Sequence, residues 1–236
     1  MDFDRHAGEY ERRVSEALEF TGLRQSVFLE AKARAALSLA ARRLGGDEGL
    51  RVLEVGCGIG SMLRLLVGRG RRLVGTDPSL AALGRAGREC AGAAFVRFDG
   101  GTLPFPDDRF DLVMAVSVLH HVDPAARPRL TGEMARVTRD GGLVVVFEHN
   151  PFNPLTRRVV ARCELDRDAV LLRSGETVSL LRAAGAGEIE RRFILFVPWS
   201  GRPWDALQRL LARLPLGAQY LVAGRRRGGG AADRAS

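Results

Sequence analysis

The sequence predicts an α/β protein with a doubly wound, mostly parallel sheet and helices on both faces, and three observations predict it. Val52 to Val55 have the aliphatic and β-branched character of a strand buried on both sides. That run ends in three alternating glycines, Gly56, Gly58 and Gly60, before a helical spacing of apolar residues resumes from Ser61 to Val67. A chain that reverses sharply and lets a ligand touch its backbone has no room for Cβ atoms, which is the use of glycine in such a strand-turn-helix unit. Two further strand-like runs, Arg72 to Thr76 and Ala94 to Phe98, each end in an acid, Asp77 and Asp99. Both carboxylates, and the bare backbone N–H of Gly100, then stand at the same edge of the sheet.

The remaining elements follow in order. Residues 8 to 43 read as two helices, Tyr10 to Phe20 and Ser26 to Leu44, broken at Thr21-Gly22 and stopped by Gly45-Gly46. After the first three strands comes a fourth, Phe110 to Val116, running into Ser117-Val118-Leu119-His120-His121. An amphipathic helix over 124 to 138 ends at Asp140-Gly141-Gly142, and Leu143 to Glu148 is a fifth strand. Residues 155 to 172 depart from strict alternation and read as an insertion with a short helix, ahead of a helix at Thr177 to Ala184. Arg192 to Val197 and Gln219 to Ala223 are the last strands, separated by a Pro/Trp segment and a helix from Trp204 to Arg213. One domain is expected over residues 1 to 224: a helical cover (1 to 48), a ligand-binding core (49 to 150), an inserted lid (151 to 175) and a second sheet half (176 to 224). Residues 225 to 236, Gly- and Ala-rich around Arg225-Arg226-Arg227, read as a disordered tail.

Asp77 lies seventeen positions beyond Gly60, where a carboxylate accepts hydrogen bonds from the hydroxyls of a bound ribose; a helix cap before Pro78 is the second reading, and the two are compatible. With these residues the chain resembles the class I S-adenosylmethionine-dependent methyltransferases, in particular the small-molecule enzymes of ubiquinone and menaquinone biosynthesis. The resemblance rests on Glu54-Val-Gly-Cys-Gly-Ile-Gly60, on Asp77, on Phe98 to Val113, on Ser117-Val-Leu-His-His-Val122 and on Arg139-Asp-Gly-Gly-Leu-Val144, and it covers about residues 50 to 150. It implies a Rossmann-like seven-stranded sheet whose last two strands pair antiparallel, and S-adenosylmethionine as cofactor, leaving as S-adenosylhomocysteine. Carried over position by position, it implies that Glu54 with Gly56, Cys57, Gly58 and Gly60 holds the methionine end. Asp77 with Pro78 would hold the ribose and Asp99 with Gly100 the adenine, while Val116, Ser117 and His121 flank the sulfonium. In the resembled family the N-terminal helices and the insertion close over the substrate.

Composition narrows the function further. The net charge of +8 invites a nucleic-acid reading, yet the arginines are spread along the whole chain without interleaved aromatic residues. Lys32 is the only lysine among 36 basic residues, which reads as genomic arginine bias. No apolar run of about 18 residues and no basic-then-apolar N-terminal layout is present, so a cytoplasmic protein without membrane insertion is expected. Cys57, Cys90 and Cys163 are far apart and read as reduced buried thiols. The sequence carries no signal for oligomeric state.

Methyl transfer to a nucleophile demands positioning and exclusion of water, and a base only where the acceptor arrives protonated. Four residues are candidates for that chemistry. His120 and His149 titrate near neutrality, while Tyr10 and Glu148 stand ready to orient a ring. No metal is expected, because adjacent histidines alone chelate poorly and no further ligand lies at helical or turn spacing. Glu148-His149-Asn150-Pro151-Phe152-Asn153-Pro154 lies just past the carboxyl end of a strand, with the asparagines read as Asx-turn formers. Among the aromatic residues, Phe193 and Phe196 read as core, while Phe152, Trp199 and Trp204 are candidate pocket walls. The expected reaction is methylation of oxygen, nitrogen or carbon on a small organic acceptor, in natural-product or quinone-like metabolism. A cofactor-binding protein that does not methylate (a cyclase, a decarboxylase or a regulatory module) and a nicotinamide-dependent oxidoreductase are the alternatives. Against the last stands the Gly-x-Gly-x-Gly spacing, which lacks the usual Gly-x-x-Gly step.

Overall fold

The computed structural model describes residues 10–22, 24–196 and 202–228. Two helices, α1 (Tyr10–Leu18) and α2 (Gln25–Arg43), precede the alternating core. That core runs β1 (Arg51–Val55), α3 (Ser61–Leu66), β2 (Arg72–Asp77), α4 (Leu80–Glu89), β3 (Ala93–Arg97), β4 (Phe110–Val116), α5 (Arg127–Val137) and β5 (Thr138–His149). The insertion supplies α6 (Pro154–Arg162), and α7 (Ser174–Ala183), β6 (Ala186–Ile194), α8 (Arg202–Leu211) and β7 (Gln219–Arg226) follow. The strands form one seven-stranded sheet in the order β3-β2-β1-β4-β5-β7-β6. The first five strands are parallel, and β7 runs antiparallel between β5 and β6. This is the predicted doubly wound, mostly parallel architecture. The order reverses between β1 and β4, which opens a crevice at the carboxyl ends of those strands.

The period of two along each strand divides the core between two faces. Leu112, Met114, Leu143, Val145 and Phe147 pack on one side with Ala36, Leu39 and Ala40 of α2 and Met62, Leu63 and Leu66 of α3. Val113, Ala115, Val144 and Val146 pack on the other with Leu130 and Met134 of α5 and Leu181 of α7. Tyr220 is fully buried there because its hydroxyl is satisfied: it lies 2.8 Å from the Thr177 hydroxyl and donates to the Leu172 carbonyl at 3.1 Å. Cys57, Cys90 and Cys163 are free and buried, as expected.

Three boundaries differ from those read in the sequence. β6 begins at Ala186 rather than Arg192, bulged between Gly187 and Glu190, and its charged Glu188–Arg192 stretch is tolerated because β6 is an edge strand with one side open. Asp140-Gly141-Gly142 does not separate helix from strand; β5 runs through it with Gly141 at φ +71°. Arg225 and Arg226 belong to β7 and not to a tail. Arg225 donates to the Gly141 carbonyl of β5 at 2.8 Å, and Arg226 pairs with Asp108 at 2.8 Å, so they tie β7 to β5 and to the loop before β4.

The amino-terminal edges of the central strands are tied by one carboxylate. Asp111 accepts the Arg51 backbone N–H at 2.8 Å, its guanidinium at 3.0 and 3.2 Å, and Arg139 Nε at 2.5 Å. Partial burial opposes the charge, but the two guanidiniums outweigh it and hold this carboxyl down at about 2. A depressed folded-state pKa contributes stability that is present above the unfolded value of about 3.9 and is lost as pH falls toward about 2. Asp111→Asn is therefore expected to lose about 1–3 kcal/mol at pH 7 in urea titration, and its deficit against wild type to shrink as the titration is repeated from pH 4 down to pH 2.

Candidate active site

The site begins at the turn after β1. Gly56 and Cys57 donate their N–H groups to the Thr76 carbonyl of β2 at 2.7 and 2.9 Å, and Gly60 closes the turn onto the Cys57 carbonyl at 2.9 Å. Gly56 has φ +73°, and a Cβ there would stand 2.6 Å from a Val118 methyl, so only glycine fits. Gly58 and Gly100 also have positive φ, but the space where their Cβ atoms would lie is open, and both line the cavity. Asp77 serves this turn directly: Oδ2 accepts the Gly58 N–H at 2.8 Å and Oδ1 the Ser79 N–H at 3.0 Å. Ser79 in turn caps α4 by accepting the Ala82 N–H at 3.0 Å. Asp99, beyond β3, accepts the Gly101 N–H at 3.0 Å. Glu54 is buried at the end of β1, and its Oε2 has no hydrogen-bond partner. Burial pushes this carboxyl well above its ordinary range, Asp77 adds to the rise, and Lys32 opposes it.

Beyond β4 the chain enters a short 3-10 turn (Leu119–His121) through Ser117, whose φ of +57° is left-handed. Glu148, fully buried at the end of β5, organises this turn. Its Oε1 accepts the N–H groups of Val118 and Leu119 at 3.0 and 2.7 Å, and its Oε2 holds His120 Nδ1 at 2.5 Å. The other nitrogen of His120 lies 3.4 Å from Oδ1 of Asp166, and His121 Nε2 lies 3.3 Å from the same oxygen. Burial alone would strip His120 of its proton, but Glu148 and Asp166 outweigh it and hold the ring up at about 9. Burial likewise disfavours the Glu148 carboxylate, which the His120 charge brings down to about 2.

His149 faces Gln219 directly across the antiparallel β5–β7 pair, with Gln219 Nε2 3.3 Å from His149 Nδ1. The Gln219 Oε1 is buried without a partner, so the amide can face His149 through either end, donating to Nδ1 or accepting a proton from it. Burial, reinforced by the charge of His120, pushes His149 down to about 3. His120 has both nitrogens engaged, Nδ1 by Glu148 and Nε2 by Asp166. The side chain of Tyr10 lies outside the described residues.

Asn150 and Asn153 are structural, the first donating to the carbonyls of Pro215 and Gly217 and the second capping α6. Phe193 is core, as expected, whereas Phe196, read as core, lines the cavity. Phe152 is exposed beneath the Arg173 guanidinium, Trp204 is exposed, and Trp199 lies outside the described residues.

Three residues at the site carried no functional signal in the sequence. Lys32 of α2 is buried, lines the cavity and donates to the Ser117 hydroxyl at 2.9 Å. Burial lowers its amine to about 8, against the pull of Glu148, Glu54 and Asp166. A lone lysine amid the small apolar residues Ala33 and Ala36 of one helix was the clue available. Asp166 comes from the insertion and Gln219 from the last strand. His120, His121 and Asp166 are also the described residues whose spacing suits a metal ion, a set that sequence spacing could not have found.

Together these residues wall a cavity of about 420 Å³ at the crevice, roofed by α1 and the insertion. The roof elements pack on each other through Ala17, Cys163 and Leu165, with Arg13 paired to Glu164. No helix among the described residues is long and apolar enough to cross a membrane.

Residues 53–146, from β1 into β5, match the family model described as a methyltransferase domain. An uncharacterised methyltransferase of Mycobacterium sp. (strain JLS) is 39% identical over 99 residues, covering 42% of this chain and 38% of the relative. One from Synechocystis sp. is 32% identical over 130 residues, covering 49% and 61%. The chain thus spans roughly two- to three-fifths of the length of these curated relatives. A solved structure described as a S-adenosylmethionine-dependent methyltransferase, possible histamine N-methyltransferase, from Thermotoga maritima superposes with a TM-score of 0.68 at 21% identity, covering 95% of this chain and 98% of that one. The crevice and its glycine turn fall within the matched segment: residues 53–146 match a methyltransferase domain, on the fold of a solved S-adenosylmethionine-dependent methyltransferase.

Proposed function

We propose that this protein transfers a methyl group from S-adenosylmethionine to a small organic acceptor with an apolar body. The observation that carries the cofactor half of this reading is the buried, unpartnered Oε2 of Glu54, standing beside a turn open at Gly58. A buried carboxylate oxygen without a donor is costly, and the ammonium of an amino acid supplies the missing donor. The other donor and acceptor groups fit as well. Asp77 accepts backbone N–H groups on both oxygens, which fixes the carboxylate at the cavity wall where it can take the ribose hydroxyls. Asp99 and the open Gly100 stand one strand farther along for the adenine, and Val116, Ser117 and His121 line the cavity where the sulfur would lie.

When bound, the cofactor supplies an electrophilic methyl on a positively charged sulfur. The chain's own residues orient the reactants and keep water out. The roof of α1 and the insertion excludes solvent, and the central strands and the Glu148 network hold the floor rigid. The apolar surface of Leu18, Phe28, Val159 and Phe196 suits an apolar acceptor.

Calorimetric titration with S-adenosylmethionine and S-adenosylhomocysteine tests the cofactor half. Glu54→Gln is expected to keep the wild-type fold and weaken both ligands about 10- to 100-fold, because an uncharged amide no longer pairs with the ammonium. Asp77→Asn is expected to weaken them similarly, with a thermal melt separating loss of affinity from loss of the turn it holds. Wild-type protein that binds neither ligand would overturn the assignment. Formation of S-adenosylhomocysteine upon addition of acceptor distinguishes methyl transfer from a role in which the bound cofactor stays intact.

A further inference from the structure

Resting on that reading, we infer that the acceptor is methylated on an oxyanion, a carboxylate or an enol or phenol already ionised, received by Lys32. Lys32 is the first ground. It is 4% exposed, its Nζ donates to Ser117 Oγ, and among the described residues no carboxylate lies within 4.0 Å of it to form an ion pair. Buried charges are paired, and this ammonium keeps two N–H groups for which no partner stands among the described residues.

The second ground is a census of the groups around it. Both oxygens of Glu148 are taken by two backbone N–H groups and His120. Asp166 faces His120 and His121, and Asp77 faces the N–H groups of Gly58 and Ser79. Glu54 belongs to the ammonium at the methionine end. His120 has no free nitrogen. With these carboxylates and His120 engaged, the Lys32 ammonium is the charged donor left for the acceptor among the described residues. Donors stabilise a negative oxygen and accept no proton from a neutral one.

The step balances without a base. A lone pair of the acceptor oxygen forms the new carbon–oxygen bond, the carbon–sulfur bond breaks with its electron pair left on sulfur, and no proton is released. The apolar body lies against Leu18, Phe28, Leu155, Val159, Leu195 and Phe196.

Calorimetry with 3-phenylpropionate and 3-phenylpropan-1-ol, on protein saturated with S-adenosylhomocysteine, decides the matter. Wild type is expected to bind the acid about 10- to 100-fold more tightly than the alcohol, and Lys32→Met to lose that preference while its affinity for S-adenosylhomocysteine changes by less than about threefold. Lys32→Met removes a buried charge and leaves an apolar chain of similar length, so its thermal melt is expected at or above wild type. Equal binding of acid and alcohol, binding of neither, or a preference that survives Lys32→Met would overturn the proposal. So would a variant weakened about 10-fold or more for S-adenosylhomocysteine but unchanged for 5′-methylthioadenosine, which lacks the amino-acid end; Lys32 would then hold the cofactor's own carboxylate. Wild type that fails to bind S-adenosylhomocysteine at all defeats the cofactor reading itself, and this inference with it.

Discussion

The floor of the site depends on the carboxylate of Glu148. It is buried at the end of the central strand β5 and satisfies three groups at once: two backbone N–H groups of the turn after β4 and one imidazole nitrogen. Those bonds bend the chain sharply through Ser117, a non-glycine residue in the left-handed region, and the strain is offset by hydrogen bonds to an ionised acceptor, which are among the stronger ones available. The imidazolium it holds keeps the carboxylate ionised in an interior that would otherwise protonate it. Each partner secures the charge state of the other.

From this floor the arrangement extends upward by electrostatics. His120 reaches through its second nitrogen to Asp166, so a residue of the roof is held by a charge set in the sheet. Lys32 descends from the covering helix α2 to the strained Ser117. The insertion and α2 are therefore each fastened to the strand ends, and the roof is held besides by its own apolar contacts. The proposed methyl transfer would ask for little covalent work, and a closed, charge-ordered cavity is what such chemistry draws on.

The sheet was legible because strand and helix have different periods and because glycines mark turns that other residues cannot make. β1 to β4, the turn from Gly56 to Gly60, and the acids Asp77 and Asp99 were all readable as local patterns. The misread places have physical reasons too. β6 is an edge strand whose charged residues face solvent, so its sequence looks like a loop. Arg225 and Arg226 look like a basic tail until the antiparallel neighbours that fix their backbone are known.

The candidate site divides along the same line. By itself the sequence determined the fold class, the crevice at the end of β1 and the carboxylates that face it, since each is encoded within one strand and the turn that follows. Only the tertiary structure decided which groups are spent and which are free. Asp166 meets His120 from forty-six residues away, Lys32 meets Ser117 from eighty-five, and Gln219 meets His149 from seventy. Whether a histidine is a base, a donor or a trapped cation depends on those long-range partners and on burial, neither of which has a local signature in the chain.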